Sequence, residues 1–138
     1  MYYLDKFIYK YLLRTKAIKY IEKHKHRCID YASENGDLDV VKYLVKYSEY
    51  TPTYRSIDYG VRSGNLELIK YLYQDLKIQC TDQAIVTATQ YRHIEIVRYL
   101  HEIMNISCVD LCIIWATFYR DDVLRQYLLD HCESSIYT

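Results

Sequence analysis

Apolar and polar positions along the chain recur at helical spacing. From Cys28 onward the pattern runs Ile29, a small Ala32, Gly36, and then Leu38, Val40, Val41 and Leu44. An apolar residue followed three positions later by a small one lies on a single helix face, and the small side chain lets a neighbouring backbone approach closely. Gly36 can take the left-handed conformation that ends a helix, and the stripe after it is the apolar face of a second helix. One unit is therefore a helix A, a turn and a helix B.

Sliding the sequence against itself by 28 residues aligns four such units without a gap, beginning at Cys28, Ser56, Ala84 and Cys112. The columns Ile29, Ile57, Ile85, Ile113 and Leu44, Leu72, Leu100, Leu128 are constant, and Ala32, Gly60, Ala88, Ala116 stay small. A fixed period of this kind predicts an all-α solenoid, each helix pair burying a face that it cannot bury alone. The expected organisation is a capping helix pair over 1–25, formed from Tyr2 to Leu13 and Lys16 to Lys25. Repeats over 26–54, 55–82, 83–110 and 111–138 complete one continuous domain. Ala17 to Ile21 echo Val40 to Leu44, and in the last repeat Asp122 and Arg125 replace the apolar Leu38 and Val41. A polar outer face suits a terminal unit, so the chain is expected to be complete with its own caps. In the third and fourth units the glycine column becomes Arg92 and Arg120, so those turns must close in another way or carry strain. Asp82 and Asp110 stand where a side chain could cap the next helix A.

Composition narrows the classes. Three glycines and one proline in 138 residues leave little punctuation for a many-stranded sheet. Five cysteines, an odd number in a chain long enough to bury its own core, read as reduced thiols in an intracellular, cytoplasmic setting. Asp5, Lys6 and Lys10 interrupt the apolar start, and no secretion signal is visible. No run approaches the roughly 18 uncharged apolar residues of a membrane span. Net charge is zero, but residues 1–27 hold eight Lys/Arg against Asp5 and Glu22, so that segment is +6 and the remainder −6.

The run Tyr31-Ala32-Ser33-Glu34-Asn35-Gly36-Asp37-Leu38-Asp39-Val40-Val41-Lys42-Tyr43-Leu44 closely resembles the helix-turn-helix of ankyrin repeats. The resemblance covers residues 28–131 and weakens at Phe118 to Asp121. The period departs from the usual ankyrin value of about 33, and the Thr-Pro-Leu-His opening is absent. The resemblance therefore implies hairpin fingers that are missing or reduced to loops. Short-period copies rich in Tyr, Lys and Ile are similar to the ankyrin arrays of amoebae and of the large DNA viruses that infect them, which implies host cytoplasm for a viral chain.

Ankyrin geometry implies that the residues between the buried Ile and the small position of helix A face the concave side. These are Tyr31, Tyr59, Thr87 and Trp115, with Glu34, Arg62, Gln90 and Phe118 one turn later. Variation on a constant scaffold suits recognition of a protein partner, and Tyr, Trp and Arg dominate interfaces. The plainer alternative is that the aromatics cover seams between repeats. The constant Tyr43, Tyr71, Tyr99 and Tyr127 read as structural, each ring lying between B helices with its hydroxyl near water. His24 and Cys28, and likewise Cys108 and Cys112, share helix spacing, but repeat columns account for the cysteines and no metal or cofactor is expected. No phosphate loop, nucleophile elbow or metalloprotease motif is present, so no enzyme is expected. A monomeric protein-interaction module is the reading. Its alternatives are nucleic-acid or anionic-surface binding through the basic N-terminal segment, and a self-associating structural element.

Overall fold

A computed structural model of the chain describes residues 2–132, with side chains from residue 6 onward; the end of the fourth repeat, 133–138, lies outside the described residues. The described residues form helices and connecting turns and contain no strand. The chain divides into two compact units, Met1–Gln79 and Cys80–Thr138, where the sequence suggests one continuous domain.

In the first unit α1 (Tyr2–His24) leads through a short 3-10 turn into α2 (Cys28–Glu34) and α3 (Leu38–Tyr47). α4 (Tyr54–Ser63) and α5 (Leu66–Lys70) follow, and α5 runs on into a π-helical turn, Tyr71–Asp75. The two A helices, α2 and α4, pack on each other, and α1 packs on α2 and α3. In the second unit the pairs are α6 (Gln83–Gln90) with α7 (Ile94–Glu102) and α8 (Asp110–Phe118) with α9 (Asp122–His131), and α6 packs on α8.

The constant columns form the core. Ile29, Ile57, Ile85 and Ile113 are buried, as are Ala32, Ala88 and Ala116 and all four leucines of the B helices. A methyl group built on Gly60 would meet the Ile69 Cδ1 at 3.2 Å and the Leu68 Cδ2 at 3.5 Å, which is why that column stays small. The tyrosine column is half-buried or buried. The cation one residue before it reaches the tyrosine of the next pair: Lys42 lies 5.2 Å from the Tyr71 ring centre and Arg98 5.3 Å from that of Tyr127. The Tyr127 hydroxyl donates to Glu102 Oε1 at 2.8 Å, so here the ring does bridge neighbouring B helices.

The turns between A and B helices all place the glycine-column residue in the left-handed region, and three of the four close with the same wide hydrogen bond; in the Gly64 turn the Asn65 N–H donates to Ser63 Oγ at 3.2 Å instead. Gly36 and Gly64 have φ of 73° and 75°, and Arg92 and Arg120 adopt 61° and 54°. The N–H of Asp37, His93 and Asp121 donates to the carbonyl of Ala32, Ala88 and Ala116, the wide bond of a Schellman turn. The arginine turns therefore keep the left-handed conformation, as three other non-glycine residues, Lys25, Lys77 and Asn105, also do.

Three sequence expectations need correction. The N-terminal helix pair is a single helix: Leu13 to Lys16 contain no glycine or proline, and Thr15 Oγ1 bonds the Tyr11 carbonyl at 3.0 Å inside the helix. Ala17 is buried as Val40 is, but Ile18, opposite Val41 in the echo, is 41% exposed because no element among the described residues covers that side of α1. Asp82 and Asp110 do not cap. Asp82 is already in helical conformation without a side-chain bond, and Asp110 is the first residue of α8. Side-chain caps come instead from Thr53, Asn65 and Asp121. Finally, the cysteines are not all free. Cys108, before α8, is disulfide-bonded to Cys132, after α9, across a Cα separation of 5.5 Å that suits the bond. Cys28 and Cys112 are buried thiols outside that bond.

Candidate interaction surface

In the first unit, packing of α2 on α4 brings Tyr31 and Tyr59 together with ring centres 5.9 Å apart. Arg27, from the turn ahead of α2, lies against both rings, 5.1 Å from Tyr31 and 5.7 Å from Tyr59, and donates to the Tyr59 hydroxyl at 2.5 Å. His24 stacks on the other side of Tyr31 at 3.8 Å. Burial, reinforced by the charges of Lys23 and Arg27, holds the His24 pKa below the usual histidine value, which favours a neutral ring in this stack. One turn further on, Arg62 forms an ion pair with Glu34 at 2.7 Å and lies 5.2 Å from the Tyr59 ring. Tyr31, Glu34, Tyr59 and Arg62 thus form one connected strip, polar at its edge and aromatic at its centre. Arg62 is exposed, and the other three are half-buried.

In the second unit the anticipated four do not stay together as a surface. Thr87 is buried at 6% exposure, a correction to its assignment as a contact residue, because a short side chain on α6 does not clear the packing of α8. Gln90 is half-buried. Trp115 and Phe118 meet edge to face at 5.8 Å, and Tyr119 stacks on Trp115 at 5.7 Å. Phe118 is 71% exposed, a large apolar ring in water. The Trp115 indole N–H is buried and has no hydrogen-bond partner among the described residues. The unit therefore offers an aromatic knot on α8 and its turn rather than a strip across two helices.

Sequence reasoning missed Arg27, His24 and Tyr119. Arg27 and His24 lie ahead of the aligned columns, which begin at Cys28, so no column pointed to them. Tyr119 stands in the turn, whose column carries Asn35 and Ser63 in the first unit and Tyr91 in the second. Of the histidines and cysteines considered as metal ligands, His24 is engaged with Tyr31 and Cys108 with Cys132. Burial raises the pKa of Cys28 and of Cys112, which keeps both as core thiols rather than nucleophiles.

Comparison with known proteins returns no matching family model, no matching curated protein and no matching solved structure.

Proposed function

We propose that the chain is a non-catalytic protein-interaction module, a solenoid of ankyrin-like helix pairs with α1 as its N-terminal cap, that acts inside the cell. The observation that carries this reading is the strip Tyr31, Glu34, Tyr59 and Arg62. Its first column is Tyr31 and Tyr59 here and becomes Thr87 and Trp115 further on, and its second changes at every repeat from Glu34 to Arg62, Gln90 and Phe118, while the core columns beneath stay constant; aromatic rings with an arginine are the side chains that dominate protein interfaces. The knot of Trp115, Phe118 and Tyr119 supports the same reading in the second unit, since an exposed phenylalanine packed against two further rings suits an apolar contact. The 28-residue register, repeated in the turn hydrogen bonds, supports the ankyrin-like assignment. In a reducing cytoplasm the Cys108–Cys132 bond is expected to open, so an intracellular role is one carried out with those two thiols free.

Affinity capture from cell lysate tests the reading with two variants, Tyr59→Ala/Arg62→Ala and Trp115→Ala/Phe118→Ala, against wild type. The expected result is a set of proteins retained by the wild type and lost by a variant whose circular dichroism is unchanged. Equal capture by well-folded variants of both kinds would overturn it.

A further inference from the structure

α1 uses one side to pack on α2 and α3, placing Ala17 in the core. With 3.6 residues per turn, its first turns carry Ile8 and Leu12 away from that side and Phe7 and Tyr11 along the flank next to α3, with Ile18 further along. These are 47%, 55%, 72%, 64% and 41% exposed; the first four form an apolar patch over two turns, and Ile18 stands beyond Thr15, with the exposed Glu22 one turn further on the same face. Cations border the patch on both sides, Lys10 and Arg14 along one edge and Lys16, Lys19 and Lys23 along the other, all of them exposed. Beside the patch, between α1 and α3, lies a cavity of about 390 Å³ lined by Phe7, Lys10, Tyr11, Arg14, Tyr43 and Tyr47. Lys10 and Lys46 both approach the Tyr47 ring, at 5.5 and 5.1 Å.

We propose that this outer face of α1 docks on an anionic lipid surface, separately from the helix-A faces. The apolar patch enters the boundary between headgroups and acyl chains, and its flanking cations reach the headgroup phosphates. The charge pattern selects this occupant. A second copy of the chain would bring like-charged edges together. A nucleic acid would use the cations and could stack on Phe7 and Tyr11, but it would leave Ile8, Leu12 and Ile18 facing water. A helix that is convex, apolar along its ridge and basic along both margins is the arrangement that lies in a membrane interface, with long Lys and Arg side chains extending outward from the apolar zone. The cavity adds tyrosine rings and two cations at headgroup level, where amphipathic rings are favoured. No described helix is long and apolar enough to cross a membrane, so the contact is peripheral.

Vesicle flotation tests the proposal with the full chain, vesicles of phosphatidylcholine alone and vesicles of phosphatidylcholine mixed equally with phosphatidylserine. Two variants accompany the wild type, Phe7→Ser/Leu12→Ser on the ridge and Lys10→Glu/Arg14→Glu on its edge; all four side chains are exposed, and circular dichroism verifies the fold. Wild type is expected to float only with the mixed vesicles, with each double variant binding at least about tenfold more weakly and added salt weakening the interaction. Absence of binding to the mixed vesicles, binding indifferent to lipid charge, or undiminished binding by the ridge variant would overturn the proposal. So would a wild-type dimer that Phe7→Ser/Leu12→Ser dissolves, because the patch would then belong to a second copy.

Discussion

The Asp30 carboxylate accepts the Ser56 hydroxyl at 2.6 Å between α2 and α4, with both residues buried. Thr53 Oγ1 donates to the same carboxylate at 3.2 Å, and Thr53 and Ser56 are also the two members of the capping box that starts α4. One buried acceptor therefore fixes where a helix begins and holds that end against its neighbour.

Asp30→Ala removes an acceptor shared by two hydroxyls. Hydrogen bonds to a charged group contribute more than neutral ones, so urea unfolding is expected to show a loss of about 1.5–3 kcal/mol. A loss below about 0.5 kcal/mol, the range of ordinary surface changes, would show that water replaces the carboxylate without cost.

Arg120 is exposed and held at φ 54°, and Arg92 shares that conformation but also pairs with Asp121 at 3.1 Å. Arg120→Gly relieves the backbone and is expected to raise stability by roughly 0.5–1 kcal/mol. Arg92→Gly should gain less, because it loses the ion pair. Gly64→Ala, at φ 75°, should lose about 1 kcal/mol. Thermal melting of the three variants would show whether the arginine turns are strained, and an Arg120→Gly protein no more stable than wild type would indicate that they are not.

The Cys108–Cys132 bond spans 24 residues of sequence. Closing a loop of that length restricts the unfolded chain by about 3 kcal/mol. A thiol reductant should therefore lower the melting temperature of the wild type and leave Cys108→Ala/Cys132→Ala unmoved. Equal melting of the wild type with and without reductant would mean that the two sulfurs are not joined in solution.

Burial first, and then the bond to Glu102, push the Tyr127 pKa up from 10.0 to about 12. The fold prefers the neutral phenol, so this contribution is whole below pH 10 and is lost as pH rises through about 12. Tyr127→Phe is expected to be less stable at neutral pH but to show a flatter decline across that alkaline window. Parallel stability curves for the two proteins would assign the decline to other groups.

The 28-residue register made the paired helices, the buried columns and the small positions legible, because a core residue must recur wherever its environment recurs. What escaped had no column to reveal it. Arg27 and His24 stand ahead of the aligned columns, and their part in the Tyr31–Tyr59 contact arises from the end of α1 and the turn that joins it to α2. The break expected in α1 came from carrying the repeat pattern into a segment with no turn residue. Thr87 shows the converse limit: its column is right for a surface, but its side chain is too short to reach one. The Cys108–Cys132 bond joins two different repeat positions, so a reading by columns could not pair them.

The shared turn between A and B helices has one more consequence. Its hydrogen bonds end on the carbonyls of Ala32, Ala88 and Ala116, so the geometry depends on the preceding helix and not on the absence of a side chain. A glycine there has no side chain to reach outward, whereas Arg92 extends to Asp121 in the turn of the next pair. Within the second unit, the place where the backbone reverses is thus also one where a helix pair meets the next by charge, through a residue that a glycine could not supply.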